Sequence, residues 1–383
     1  MEYDFDEIIP RRNTDSVKWD AAPDEGVLPL WVADMDFKVA PVITAALQSR
    51  VAHGVFGYTQ TPQRFYDAII NWWQRRHGVT IGQKWIIPVT GIIPALSAAI
   101  RALISKGDKV LIQPPVYNHF YTTLANCGCS IVENNLLYNN GHYTPDFEDM
   151  EIKAADPEVK LFLLCNPHNP AGRAWKLDEL QRIAAICKKH NVIVLSDEIH
   201  SDLVFGSSKH IPFALIESTN CITFSSPGKA FNLAGLQVGY VFTQDSVLRT
   251  KLKAMLTLQE IELLSPFAIE ALIAAYNNGE EWLEALKHYL YNNYKYLQEF
   301  VALHLPQIVV VPLQATYLVW LDCRALNLPS ETLAKKLLQD QKLWVNAGTM
   351  YGAVGEGFLR INIACALPLL KEGLQRIKNE LGN

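Results

Sequence analysis

The chain has 383 residues, which is too long for one ordinary hydrophobic core and favours two domains. Hydrophobic residues make up 49% of it and charged residues 19%, a balance typical of a globular protein rather than a disordered one. The net charge of −5 predicts no cationic surface for nucleic acid or for an anionic membrane. No apolar run reaches the roughly 18 residues of a membrane-spanning helix.

The N-terminus and the cysteines indicate a compartment. The first twelve residues are acidic and lack the apolar centre of a signal peptide. Seven cysteines, an odd number, are typical of reduced thiols. Cys127 and Cys129 have no second Cys or His pair at the spacing of zinc ligands, so we expect no metal site. Together these features predict a cytoplasmic protein.

Short apolar runs alternate with longer helical patterns in the middle of the chain. The predicted strands are Lys109–Gln113, Ser130–Glu133, Leu161–Cys165, Val192–Asp197, Cys221–Ser225 and Val238–Thr243. Helices are predicted over Thr144–Ala154 and Lys176–Asn191. This alternation predicts a mostly parallel sheet covered by helices on both faces. Val238–Thr243 follows its predecessor too closely for a full crossover helix, so it is a candidate for an antiparallel strand.

The composition changes towards the C-terminus. A long helix is predicted over Glu280–Leu303, and β-like runs follow at Ile308–Leu313, Thr316–Asp322 and Gly357–Ala364, with a helix at Ser330–Asp340 between them. This pattern predicts a smaller α+β domain. We expect a large domain over residues 45–280, with residues 1–44 and 281–383 forming the small one.

Two strand ends carry residues that suggest a specific chemistry. Lys229 lies in a glycine-punctuated apolar segment, where an unpaired ammonium would be costly, although most lysines are surface residues. Asp197 ends another apolar strand, where the plainer alternatives are a helix cap or an ion-pair partner. A lysine that forms a Schiff base and an acid for a pyridinium nitrogen are the groups that pyridoxal phosphate requires. Strand ends meet at one edge of an α/β sheet, so the sequence predicts a pyridoxal phosphate site there.

Three further segments suit that cofactor, and each has a plainer interpretation. Asn169 lies in an Asn-Pro-rich segment that is either an ordinary turn or a contact with the cofactor's phenolic oxygen. Gly91 and Ile92 open a helical pattern, whose free N–H groups suit a phosphate. Tyr117 is either a core residue or a ring that stacks on a planar cofactor.

Together these segments resemble the fold-type I pyridoxal phosphate enzymes, the aspartate aminotransferase superfamily. The motifs TGII, PPVY, NPHNPAG, SDEIH, SSPGK and FLRI occur in that family's order, and the resemblance runs from about residue 25 to about residue 370. It implies an α/β fold, with a large domain whose mostly parallel sheet is sandwiched by helices and a smaller α+β domain.

The resemblance also implies roles for single residues. Lys229 is expected to form the Schiff base and Asp197 to pair with the pyridine nitrogen. The other implied cofactor contacts are Asn169 at the phenolic oxygen, Tyr117 stacked on the ring, Gly91, Ile92 and Ser226 at the phosphate, and His200. Arg360 is expected to bind the substrate carboxylate, because a guanidinium grips it bidentately. Tyr58 would reach the phosphate of a neighbouring subunit, which implies a homodimer with shared sites.

Two positions depart from the usual aminotransferase pattern. His200 stands where tyrosine is common, and Gln237 stands where an arginine commonly holds the phosphate. These departures, with the segment LPLWVADMDF, resemble the cystathionine β-lyase branch of the MalY/PatB type, which cleaves carbon–sulfur bonds of cysteine conjugates. In that branch Trp31 and Asp34 would lie at the substrate mouth, unless the segment is only a structural arm.

The core residues leave three functions open. A β-lyase would remove the α-proton of an amino-acid substrate with Lys229, expel a thiol, and release pyruvate and ammonia. An aminotransferase acting on histidinol phosphate or an aromatic amino acid would use the same residues. A regulator that acts through protein contact would keep pyridoxal phosphate as a relic. The departures at His200 and Gln237 favour the lyase.

Overall fold

The computed structural model describes residues 3–22 and 24–382. The helices of these ranges are α1 Val17–Asp20, α2 Pro41–His53, α3 Gln63–His77, α4 Ile92–Leu103, α5 Asn118–Cys127, α6 Phe147–Ala154, α7 Leu177–Lys189, α8 Ser246–Leu258, α9 Pro266–Asn278, α10 Glu280–His304, α11 Ser330–Gln341 and α12 Leu367–Leu381. The strands are β1 Leu28–Pro29, β2 Ile86–Val89, β3 Lys109–Ile112, β4 Ser130–Glu133, β5 Leu137–Asn139, β6 His142–Thr144, β7 Val159–Cys165, β8 Ile193–Asp197, β9 Cys221–Ser225, β10 Gly239–Phe242, β11 Val309–Val310, β12 Leu318–Asp322, β13 Leu343–Trp344, β14 Asn346–Ala347 and β15 Phe358–Asn362. Short 3₁₀ turns cover Gln83–Trp85, Phe213–Leu215, Ala234–Leu236, Arg324–Leu326, Gly348–Tyr351 and Ala353–Gly355.

A mixed sheet of seven strands forms the centre of the fold, in the order β2-β10-β9-β8-β7-β3-β4. The pairs from β9 across to β4 are parallel, whereas β10 runs antiparallel to both β9 and β2. The predicted mostly parallel sheet and its antiparallel strand are therefore confirmed. The prediction omitted β2, a run of only four residues that directly precedes the turn into α4.

Two apolar layers cover this sheet, as its continuously buried strands require. One packs α4, α5 and α8 against the sheet, and the other packs α6 and α7 on the opposite face. Helix α7 has Asp178 and Glu179 in its first turn and Lys188 and Lys189 in its last, which complements the helix dipole. No helix of the described residues is long and apolar enough to cross a membrane.

A second sheet has four antiparallel strands in the order β11-β12-β15-β14. Its strands lie within the three predicted C-terminal runs, except for β14. Part of the N-terminal segment pairs with a C-terminal strand, since β1 runs parallel to β13 with Leu28 opposite Leu343. The domain boundaries at residues 45 and 281 stay a prediction.

The register of the central sheet aligns the strand ends. Cys165 at the end of β7 lies opposite Asp197 at the end of β8, and Asp197 lies opposite Phe224 near the end of β9. The segments that follow β7, β8 and β9 therefore leave the sheet at one edge. Strand β10 runs antiparallel to both β2 and β9, so β2 runs in the same direction as β9 and ends at the same edge. Helix α4 begins there, directly after β2.

Candidate active site

A cavity lies where these strand ends meet the N-terminal segment. Six of the predicted site residues line it, namely Ile92, Tyr117, Asn169, Asp197, His200 and Lys229. Four further residues line it that the sequence analysis did not name: Ala33, Ile93, Cys165 and Ile199. Of these, Cys165 was recognisable as a candidate, because it ends β7 opposite Asp197.

Lys229 points into this cavity, and its amine is held by the backbone. The Nζ atom donates a hydrogen bond to the Ala33 carbonyl at 2.6 Å. Burial lowers the pKa of Lys229 to about 8, an effect that Arg360 reinforces and that Asp34 and Asp197 oppose. A lysine with this pKa has a much larger fraction of free amine near neutral pH than a surface lysine, and the free amine is the form that attacks a carbonyl or accepts a proton.

Asp197 is 4% exposed at the bottom of the cavity. Its Oδ1 atom accepts a hydrogen bond from the Ile199 backbone N–H at 3.2 Å. Burial raises the pKa of Asp197 to about 7, and Glu198 adds to the rise while Lys229 opposes it. A carboxyl group with this pKa can share a proton with a basic nitrogen at neutral pH.

Arg360 is buried on β15; it is not among the residues that line the cavity, but it contacts one of them, Asn169. Its Nη1 donates to Asn169 Oδ1 at 3.1 Å and its Nη2 donates to the Trp31 carbonyl at 2.8 Å. The guanidinium also lies 4.8 Å from the centre of the Tyr351 ring. Its buried Nε has no hydrogen-bond partner among the described residues. A guanidinium has five N–H groups, so this one keeps three donors for an anionic ligand.

The N-terminal segment 31–37 brings Ala33 to the cavity, and it is held by β15 and by the loop that follows β9. Asn362 on β15 donates to the carbonyls of Val32 and Asp34, both at 2.6 Å. The intervening Ala33 carbonyl instead faces Lys229 Nζ and the Tyr317 hydroxyl, which donates to it at 2.9 Å.

The sequence analysis missed the residues that hold this segment. Asn362 had a detectable signal, because it lies two residues after Arg360 and so faces the same side of β15. Asn232, which donates to the carbonyls of Met35 and Phe37 at 3.0 Å, had none, because only the fold brings it there.

Trp31 and Asp34 make internal contacts. The Trp31 ring stacks on Trp344 with centroids 4.4 Å apart, and its carbonyl rather than its ring meets Arg360. Asp34 pairs with Arg11 at 2.8 Å. Because these contacts suit a structural arm, a direct contact of either side chain with substrate stays a prediction.

The predicted phosphate ligands surround the start of α4 and the end of β9. Gly91 is the residue before α4, so the first N–H groups of that helix are available to an anion. Ser226 Oγ donates to the Val238 carbonyl at 2.6 Å and accepts from the Gly228 N–H at 2.8 Å. Gln237 is exposed and left-handed, with φ of 51°.

Tyr58 lies apart from the cavity residues. It follows α2 in a segment without regular structure, and it is 99% exposed. The structure of a single chain therefore does not bring it to the site, and its contact with a neighbouring subunit stays a prediction.

The remaining groups fit pyridoxal phosphate. The cavity combines an amine for an aldehyde, a buried carboxyl group for a ring nitrogen and a helix start for a phosphate. Burial lowers the pKa of His200 to about 3, so its imidazole is neutral, and its Nδ1 has no partner among the described residues. Burial likewise raises the pKa of Tyr117, which keeps its hydroxyl protonated.

Comparisons with known proteins agree with this geometry. The model of the family "Aminotransferase class I and II" matches residues 25–377. Cystathionine beta-lyase PatB of Bacillus subtilis (strain 168) is 42% identical over 384 residues, which are 98% of this chain and 99% of PatB. Protein MalY of Escherichia coli (strain K12) is 34% identical over 385 residues, covering 99% of each chain.

A solved structure matches over the same length. The crystal structure of the PLP-bound C–S lyase from Staphylococcus hominis has a TM-score of 0.94 and 34% identity, and the match covers 100% of this chain and 99% of that one. The predicted fold-type I architecture is therefore confirmed. The chain belongs to the class I and II aminotransferase family, in the branch that contains PatB and MalY.

Proposed function

We propose that the protein is a pyridoxal phosphate-dependent carbon–sulfur β-lyase, which converts cystathionine or a related cysteine conjugate to a thiol, pyruvate and ammonia. The observation that carries the proposal is the convergence of Lys229 and Asp197 on one cavity, in a chain 42% identical to a cystathionine beta-lyase. The carbon–sulfur lyase with a TM-score of 0.94 supports the same reaction class.

Asp197, Asn169 and Tyr117 would hold the cofactor ring, and the N–H groups at the start of α4 would hold its phosphate. When bound, pyridoxal phosphate supplies an electron sink for a carbanion next to the substrate amine. Asp197 suits the ring nitrogen because its burial and its pKa of about 7 favour a shared proton. Asn169 is oriented by Arg360, which donates to its Oδ1 at 3.1 Å.

Lys229 would act as the general base. Its Nζ would take the proton from the substrate α-carbon, and its pKa of about 8 keeps the neutral form accessible near neutral pH. The Ala33 carbonyl, 2.6 Å from Nζ, would hold the resulting ammonium group. Loss of the α-proton and of the Cβ–S bond removes a thiol, and hydrolysis of the remainder gives pyruvate and ammonia.

Arg360 would bind the substrate α-carboxylate with the N–H groups that the protein leaves free. This contact would fix the α-carbon relative to Lys229. The segment 31–37 would limit the entry of water, because Asn362 and Lys229 hold it against the cavity.

The family match supports an aminotransferase as the second candidate. Such an enzyme would use the same lysine, carboxyl group and arginine. It differs in its product, because the amino group would stay on the cofactor and no pyruvate would form from cystathionine.

We further propose a cytoplasmic homodimer with shared sites. Val55, Phe56 and Tyr58 are 63%, 54% and 99% exposed on one short segment. Exposed apolar residues in such a cluster are typical of a surface that another chain covers. The seven cysteines are all free thiols in the described structure, which supports a reducing compartment.

The test is visible absorbance of the purified protein with and without cystathionine, together with a pyruvate assay. We expect a cofactor band and pyruvate release in the wild type, and neither of these in Lys229→Ala. Lys209→Ala, at an exposed lysine outside the cavity, serves as the matched control and should behave like the wild type. Formation of pyridoxamine phosphate without pyruvate would favour the aminotransferase. A chain that binds no pyridoxal phosphate would overturn the proposal.

A further inference from the structure

A second buried carboxyl group lies directly behind the cavity. Glu198 follows Asp197 in the chain and has no exposed surface. Its Oε1 accepts hydrogen bonds from Ser196 Oγ at 2.8 Å and from the Phe213 N–H at 2.9 Å. Its Oε2 lies 2.7 Å from His210 Nε2.

His210 is the neighbour that could neutralise Glu198. Burial lowers the pKa of His210 despite the nearby carboxylate, so the imidazole is neutral and donates its Nε2–H to Glu198. Its Nδ1 has no hydrogen-bond partner among the described residues. The ring of His77 packs edge-on against it at 5.3 Å.

The other basic side chains near this cluster face another acid. His77 Nε2 lies 2.9 Å from Asp202 Oδ1, and Arg76 also acts on Asp202. Within residues 3–22 and 24–382, the only ion-pair partner within 4 Å of Glu198 is therefore the neutral His210. The Glu198 carboxyl group is therefore buried and hydrogen-bonded, and it is paired with no lysine or arginine among the described residues.

The backbone places this charge against Asp197. The Glu198 N–H donates to the Phe224 carbonyl at 2.8 Å, which continues the pairing of β8 with β9. Consecutive residues of an extended strand point to opposite faces, so Asp197 faces the cavity while Glu198 points to its rear. Buried protein separates the two carboxyl groups, and like charges repel more strongly there than in water.

We propose that Glu198 is a positioning residue for Asp197: its fixed negative charge favours a proton on the Asp197 carboxyl group, or on the base that this group faces. The proposal deepens the proposed function, because the base would be the ring nitrogen of the cofactor. The effect on Asp197 itself depends only on residues of this chain.

The effect of Glu198 on the protonation of Asp197 is measurable because few other charged groups surround Asp197. Lys229 is the cation that opposes it, while Tyr117 and Cys165 are uncharged because burial raises the pKa of each. His200 is neutral. Arg360 bonds to Asn169 and to the Trp31 carbonyl rather than to Asp197. Glu198 is thus the nearby anion that acts on Asp197.

The variant that tests the proposal is Glu198→Gln. Glutamine keeps the shape and an oxygen acceptor for Ser196 and Phe213. Its new N–H can face His210, whose free Nδ1 allows the ring proton to move to the other nitrogen. The fold should therefore tolerate the change.

The experiment is an infrared titration of carboxyl groups in the full-length chain freed of cofactor, with Asp197→Asn identifying the Asp197 band. We expect the Asp197 midpoint in Glu198→Gln to lie about one pH unit below that of the wild type, as for like charges at an effective dielectric constant of about 20. Glu198→Asp, which keeps the charge, should restore a high midpoint. Glu217→Gln, at another partly buried glutamate, should leave it unchanged. An unchanged midpoint in Glu198→Gln, or an equal fall in Glu217→Gln, would overturn the proposal.

A measurement on the wild type gives an independent decision. Nitrogen NMR of the imidazoles should show His210 neutral at pH 7 and protonated at Nε2. A charged His210 would cancel the charge of Glu198 and would refute the inference. Both measurements are made without cofactor. A failure to bind pyridoxal phosphate would therefore overturn the proposed function without affecting the interpretation of the infrared titration or the NMR spectra.

Discussion

Replacing Arg360 by lysine should weaken substrate binding much more than it destabilises the fold. Arg360 spends two of its five N–H groups on Asn169 Oδ1 and the Trp31 carbonyl, at 3.1 and 2.8 Å. Three donors remain, enough for a bidentate grip on a carboxylate. A lysine has three donors in all, so it can keep the two internal contacts and offer one bond, or offer more and lose them.

The magnitude follows from this count. At least one charge-assisted hydrogen bond to the carboxylate is lost, and such a bond contributes about 1.5–3 kcal/mol. At about 1.4 kcal/mol for each factor of ten, KM for cystathionine should rise about 10- to 150-fold. The value of kcat should change less, because Lys229 and Asp197 stay in place.

The assay is steady-state pyruvate formation over a range of cystathionine concentrations, with cofactor content measured by absorbance. Arg173→Lys is the matched control, since Arg173 is also buried but contacts Glu179 and the Tyr143 carbonyl, whereas Arg360 contacts the cavity residue Asn169. It should lower stability and leave KM within about twofold. An Arg360→Lys enzyme with full cofactor content and an unchanged KM would refute the assignment of Arg360 to the carboxylate.

Three further predictions concern stability and assembly. Folding raises the pKa of Asp197 from 3.8 to about 7, so ionisation of this group destabilises the folded state. The free energy of unfolding of cofactor-free Asp197→Asn, measured in urea, should therefore increase relative to that of the wild type as pH rises from 5 to 8. A difference that stays constant with pH would contradict this. Asn362→Leu leaves the carbonyls of Val32 and Asp34 without their hydrogen-bond donor and should lower the free energy of unfolding by about 2–4 kcal/mol. A smaller loss would mean that water replaces the amide. Mixed Tyr58→Ala and Lys229→Ala subunits should regain activity that neither has alone, and no recovery would argue against shared sites.

Periodicity and order along the chain predicted most of the fold. Six of the seven central strands and the long helix at Glu280–Leu303 were recognisable, because the spacing of apolar residues within each segment indicates its secondary structure. Strands β13 and β14 were not, because they are two residues long and form only where a partner strand lies beside them.

Some residues of the candidate site were likewise predicted from the sequence, and others were not. Lys229 and Asp197 were predicted because Asp197 ends one recognisable strand and Lys229 follows the end of another by four residues, and parallel strands place such ends together. The support for the N-terminal segment was not predicted. Asn232 and Tyr317 contact the N-terminal segment from 195 or more positions away in sequence. Patterns among neighbouring residues do not predict contacts over such a separation.

The sequence by itself determined the family and the order of the strands along the chain, and it predicted Lys229 and Asp197 as the lysine and the acid of the site. Only the tertiary structure decided their surroundings: that the Ala33 carbonyl holds Lys229, that Arg360 keeps donors free, and that Glu198 lies uncompensated behind Asp197. The physical reason is that burial and charge–charge interactions depend on every group packed around a residue, whatever its position in the chain, whereas strand and helix patterns depend on neighbours in sequence.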